Sequence, residues 1–198
     1  MKNIYEPTPV GNINFLTLSN DEMLKYKDWL VSQIPERARQ LEILVKSDPK
    51  YSDWVADGSP ESLAGLGQWM VDSLQTRPLS IEEIEHIKST LVFEVDFKKW
   101  DFTDFSYSII LDVALYFSTI FTIRFNGLHW GINRLKRGMY YGKPVLQGFI
   151  KKMDLSFPDV VEVCAMKMVR HEDHAAMGLL KVFRIYESYV PDREPVSE

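Results

Sequence analysis

Cysteine is almost missing from this chain, with Cys164 the single one in 198 residues. That excludes an internal disulfide framework and suits a reducing compartment. The first residues, MKNIYEPTPVGNINF, lack the continuous apolar core of a secretory signal, so a cytoplasmic location is expected. Internal repeats, low-complexity tracts and Pro/Gly-rich linkers are lacking too, and the length is most simply one domain, 1–198, with 1–18 and 191–198 irregular.

Motifs of catalysis are equally scarce. Gly65-Leu66-Gly67 has neither the third glycine nor the preceding strand of a dinucleotide fingerprint. Gly142-Lys143-Pro144 lacks the upstream glycine spacing and following Ser/Thr of a phosphate loop. No serine sits in a nucleophile-elbow pattern. His171-Glu172-Asp173-His174 is the densest group of potential ligands. Two histidines three apart can share a helical face with Cys164, but seven residues of helix span about 10.5 Å. One zinc holds its ligands at about 2.0–2.3 Å, and the zincin spacing is absent. The expected metal and cofactor content is none.

Charge of one sign is missing from a long stretch. Net charge is −5, and residues 1–100 carry 16 acids against 11 bases, while residues 101–198 carry 12 of each. Within the second half, Val113 to Met153 has no Asp or Glu but holds Arg124, Arg134, Lys136, Arg137, Lys143, Lys151 and Lys152. Arg134, Lys136, Arg137 and Lys143, interleaved with Trp130, Tyr140, Tyr141 and Phe149, are candidate anion-binding residues. A sequence pI of about 5.5 argues against nucleic acid as partner, because binders of it are usually basic.

What the chain has in plenty is a long apolar run, Asp101 to Asn126. Its length approaches the roughly 20 residues of a membrane span. Asp112 near its centre would cost about 2.5–3.5 kcal/mol there, and serines and threonines dilute the rest. The run is read instead as the central helix of the domain, about 103–125. Ser108, Asp112, Tyr116 and Thr119 fall on one face at helical period, which makes Asp112 and Tyr116 a candidate buried polar hub. Tyr116, His129 or Arg124 could be partners of the carboxylate, and as a general acid or base Asp112 would need a cleft and a raised pKa.

Around it, Ser19 with Glu22 and Ser80 with Glu83 are capping boxes. The first opens a helix that Pro35 should end or kink, with a second segment to about Lys46. Further helices are expected from Ser59-Pro60-Glu61 to before Pro78, from Ser80 to Leu91, from Phe157-Pro158-Asp159 to Met168, and over about Ala175 to Tyr189. Alternation in Leu91–Phe97 allows a short strand. Short aromatic and branched runs after Asn126-Gly127 read as two or three strands with a turn near Lys136–Gly138. The expected fold is α+β and helix-dominated: about six or seven helices around the central one, with a small antiparallel sheet at about 128–150.

The order of motifs resembles a family of small, uncharacterised bacterial proteins of Bacillus-type genomes. The resemblance rests on Trp29-Leu30 with Ile34-Pro35-Glu36-Arg37, Ser59-Pro60-Glu61-Ser62-Leu63 with Leu66-Gly67-Gln68-Trp69, and Thr76-Arg77-Pro78. It continues through Asp112–Tyr116–Phe117, Trp130, Tyr141, Pro144-Val145-Leu146 and Gly148-Phe149. After Tyr116, where the family pattern has a small residue and an acid, this chain has Phe117-Ser118-Thr119. The middle pattern is loosely similar to immunity proteins of bacterial toxin systems. That resemblance implies a non-enzymatic protein-binding protein whose partner is a cognate toxin.

On this reading the acidic N-terminal helices meet a basic toxin face, and Tyr51 and Trp54, in the polar loop before Ser59, are candidate exposed anchors. The alternative is a nucleic-acid or anion-binding module using the stretch 124–152. A weaker one is a hydrolase or metal enzyme around Asp112 or His171/His174.

Overall fold

A computed structural model describes residues 5–7, 13–93 and 95–191. The expected irregular ends fall partly outside the described residues; 13–18 and 191 are irregular. The first helix, α1 (Asn20–Lys46), is closed at its start by the reciprocal Ser19–Glu22 box. Pro35 does not end it: the helix runs through the proline from Asn20 to Lys46. Proline inside a helix costs about 3 kcal/mol. Met23 and Leu30 before Pro35, with Arg37, Leu41 and Val45 after it, are all buried, so packing on both sides of the proline offsets its cost. The cap Ser80–Glu83 likewise opens α3 (Ile81–Thr90).

Between them lies α2 (Ser62–Ser73), which packs on the last helix, α6 (Gly178–Glu187). The Gly67 Cα faces the backbone of the short turn Ala175–Met177 so closely that a Cβ there would collide with the Ala176 carbonyl. The glycine pair that resembled half a nucleotide motif is thus a helix-packing device.

The central helix, α4 (Asp104–Arg124), matches its expected bounds within a residue or two. By length and composition it could cross a membrane, but 72% of its most apolar window is buried inside the protein. It lies between α1 and α5 (Phe157–Val169). Phe121 forms the centre of an aromatic cluster, 4.7 Å from Phe183, 5.4 Å from Phe157 and 5.9 Å from Phe149, centroid to centroid.

Two antiparallel ribbons complete the fold among the described residues. β3 (His129–Ile132) pairs with β4 (Pro144–Gln147) in the register Trp130 opposite Leu146. The other ribbon was not expected: β1 (Thr76–Pro78) pairs with β2 (Trp100–Phe102), Arg77 opposite Asp101. The described residues of Leu91–Phe97 form no strand. Three-residue strands carry too little alternation to register in a sequence. Pro78 is tolerated at the end of such a two-stranded ribbon, where its missing donor interrupts nothing.

Candidate functional site

Asp112 is fully buried, and its partners are not those expected. Arg37 of α1 approaches it fork to fork, Nε donating to Oδ1 at 2.7 Å and Nη2 to Oδ2 at 2.5 Å. The Tyr5 hydroxyl donates to Oδ2 at 2.7 Å. Arg37 Nη1 also donates to the Glu6 carbonyl at 2.8 Å, and the Glu6 amide donates to Gln40 at 3.0 Å. Burial first, then the Asp112 charge, pushes the Tyr5 phenol well above its ordinary range. This cluster ties the described N-terminal residues and α1 to the central helix.

Tyr116 does not join it. Its hydroxyl lies 2.7 Å from Ser62 Oγ and accepts from the Gly58 amide at 3.1 Å. The expected hub is therefore two separate networks on different neighbours. His129 is exposed, with its Nδ1 at 3.1 Å from the Gly127 carbonyl, and the Arg124 Nε is buried without a hydrogen-bond partner among the described residues.

Tyr51 and Trp54 are not exposed anchors; both are buried. Trp54 packs edge-on to Tyr116 at 5.7 Å and donates from Nε1 to the Ser62 carbonyl at 3.0 Å. The Tyr51 hydroxyl donates to Asp72 at 2.5 Å, which also takes Lys50 at 2.5 Å. Their loop is polar because its charged residues face outward while the rings turn in, each with its polar tip satisfied.

The four candidate anion binders divide. Lys143 is turned to Asp159 at 2.9 Å, and Arg134 donates to Asn20. Arg134, Lys136 and Arg137 are exposed in the loop between β3 and β4, while Phe149, expected as a stacking ring, is buried against Phe121. His171 and His174 are exposed in the turn after α5, both with left-handed backbone (φ 53° and 61°), not on one helical face. Cys164 is buried on α5, and burial pushes its thiol up to about 11. Among the described residues no group of three His, Cys, Asp or Glu side chains could hold a metal ion.

The surface that stands apart was not singled out from the sequence. α3 has no buried residue, and it is held to the body at its base. The β1–β2 ribbon, the bond from the Leu79 amide to the Lys99 carbonyl (3.0 Å) and the bidentate Arg77–Glu83 pair (2.8 and 2.9 Å) clamp that base. Below it, Ser106 Oγ bonds both the amide and the carbonyl of Gln75. Beyond it, Ile81 is 72% exposed, Val92 86% and Phe93 78%. Ile84, Leu91, Phe93 and Phe97 line an open basin of about 800 Å³ together with Lys88 and Asp96.

From Ser80 to Phe97 the sequence holds five acids and one base. The basin itself is lined by Lys88, Lys99 and Asp96 beside the apolar side chains, and an apolar surface with a charged rim is the ordinary form of an interaction site. Apolar spacing alone, as in Ile84, Ile87 and Leu91, could not reveal it, because a packed helix shows the same pattern.

Comparison of the chain with protein-family models, with curated proteins and with solved structures returns no match.

Proposed function

We propose that this chain works by binding another protein and that the arm from Ser80 to Phe97 is the docking surface. The observation that carries the reading is a helix with no buried residue and large exposed apolar side chains, fastened at its base by a ribbon and an Arg77–Glu83 clamp. The acids Glu82, Glu85 and Asp96 favour a basic partner face. Apolar contacts, Phe93 foremost, set the lifetime of the complex, and the charges set its rate of formation. The similarity of the middle of the chain to immunity-type proteins gives that partner a class, a toxin that the arm would cover.

The test is binding of the full chain to the protein encoded beside it, with kinetics measured for wild type, Val92→Ser/Phe93→Ser and Glu82→Lys/Glu85→Lys. The apolar variant is expected to dissociate at least about tenfold faster, and the charge reversal to associate more slowly with a flatter salt dependence. Binding unchanged by both variants overturns the assignment. A purified protein that carries nucleic acid released by salt would move it to Arg134, Lys136 and Arg137.

A further inference from the structure

A second concavity lies on the opposite kind of surface, walled by α1, α4 and α5 and about 280 Å³ in volume. That is close to the low end of small-molecule sites, about 300–1,000 Å³. Three rings make one wall: Phe15 meets Tyr26 edge-on at 5.4 Å, and Tyr26 meets Trp29 at 5.6 Å. Trp29 is 47% exposed. Leu30, Ile110 and Leu111 make the floor.

The charges at the rim are nearly all answered. Lys143 is paired with Asp159 at 2.9 Å, whose other oxygen takes the Ser156 hydroxyl. Behind the rim, the hydroxyl of Tyr107, which lines the cleft, donates to Asp101 at 2.7 Å, and Asp101 is paired with Lys98 at 3.2 Å. Glu162, one turn beyond Asp159 on α5, lines the same cleft. Half-buried, it makes no hydrogen bond or salt bridge to a described residue, and its nearest charges are the two lysines and two aspartates already paired with one another. A carboxylate taken partly out of water without a donor is costly.

We infer that this cleft binds an organic ammonium ion carried on an apolar body, with Glu162 as its counterion. An ammonium group supplies the missing donor as a charge-assisted hydrogen bond. The faces of Tyr26 and Trp29 add cation–π attraction, and Leu30, Ile110 and Leu111 take the apolar body. A neutral ligand would shut Glu162 further from water without a partner, and an anion would meet its charge directly.

The experiment titrates the full chain with 2-phenylethylammonium, 2-phenylethanol and 3-phenylpropionate, by calorimetry and by the indole N–H resonance of Trp29. The ammonium probe is expected to bind at least about tenfold more tightly than the alcohol, and the carboxylate most weakly of the three. Glu162→Gln should abolish that preference while folding normally, since it removes an unpartnered charge. Trp29→Ala, at a half-exposed position, should weaken the ammonium probe several-fold. Equal affinity for the three probes, an unchanged preference in Glu162→Gln, or no saturable binding at millimolar concentration overturns the inference. None of these variants touches the Ser80–Phe97 arm, so the outcome is independent of protein binding there.

Discussion

Two helices of this chain begin alike and end in opposite surroundings. α4 is capped by the Thr103 side chain and α3 by the Ser80–Glu83 box. Thirteen residues of α4 are buried and none of α3; Ile109 is 0% exposed while Ile81 is 72% exposed. Caps and helix-forming residues determine that a helix exists, within about 1 kcal/mol per cap. Whether its apolar face is buried depends on what neighbours present. α1 and α5 both offer α4 an apolar face, whereas the β1–β2 ribbon carries α3 clear of the body. One helix holds the fold together and the other leaves its apolar side chains exposed.

The strongest break in that contrast is expected at the core. Phe121→Ala removes the ring at the centre of the aromatic cluster and should cost about 3–5 kcal/mol in chemical denaturation. Arg37→Ala should cost a similar amount, about 3–5 kcal/mol, because it leaves the buried Asp112 carboxylate without its counterion; replacing the pair together by apolar residues should cost less than the sum. Gly67→Ala is expected to lose roughly 1–3 kcal/mol by overpacking against the Ala176 carbonyl.

On α3 and its loop the same measurement should barely move. Phe93→Ser is expected within about 0.5 kcal/mol of wild type, while partner affinity falls. A loss above about 1 kcal/mol would show that the ring is packed and would erase the contrast.

The finest effect concerns Glu162. Burial raises its pKa, so the folded state binds that proton more tightly than the unfolded chain. Stability relative to Glu162→Gln should therefore decline as pH rises from the ordinary glutamate range through the raised value. A flat difference across that window would show that Glu162 is well solvated.

Much of the architecture was readable locally. The central helix, both capping boxes, the start of α5 at Phe157 and a ribbon after Asn126 follow from signals within a few residues of one another. That the helix continues through Pro35 is not legible locally, because the proline's cost is local and the burial that offsets it is not. The Asp112 partner escaped notice because Arg37 lies 75 residues away, and an arginine on a helix face otherwise reads as solvated. Tyr51 and Trp54 were misplaced for the converse reason: polar neighbours in sequence said nothing of where the rings turn.

The chain by itself determined where helices start and stop, that one apolar helix must be covered, and that charge is segregated along its length. Those follow from capping, periodicity and composition, which act over a turn or two of backbone. Only the tertiary structure decided that α3 stays uncovered, that Asp112 is neutralised by Arg37, and that Glu162 faces a cleft with no partner among the described residues. Each of these depends on which surfaces meet, and burial and pairing are properties of two segments at once.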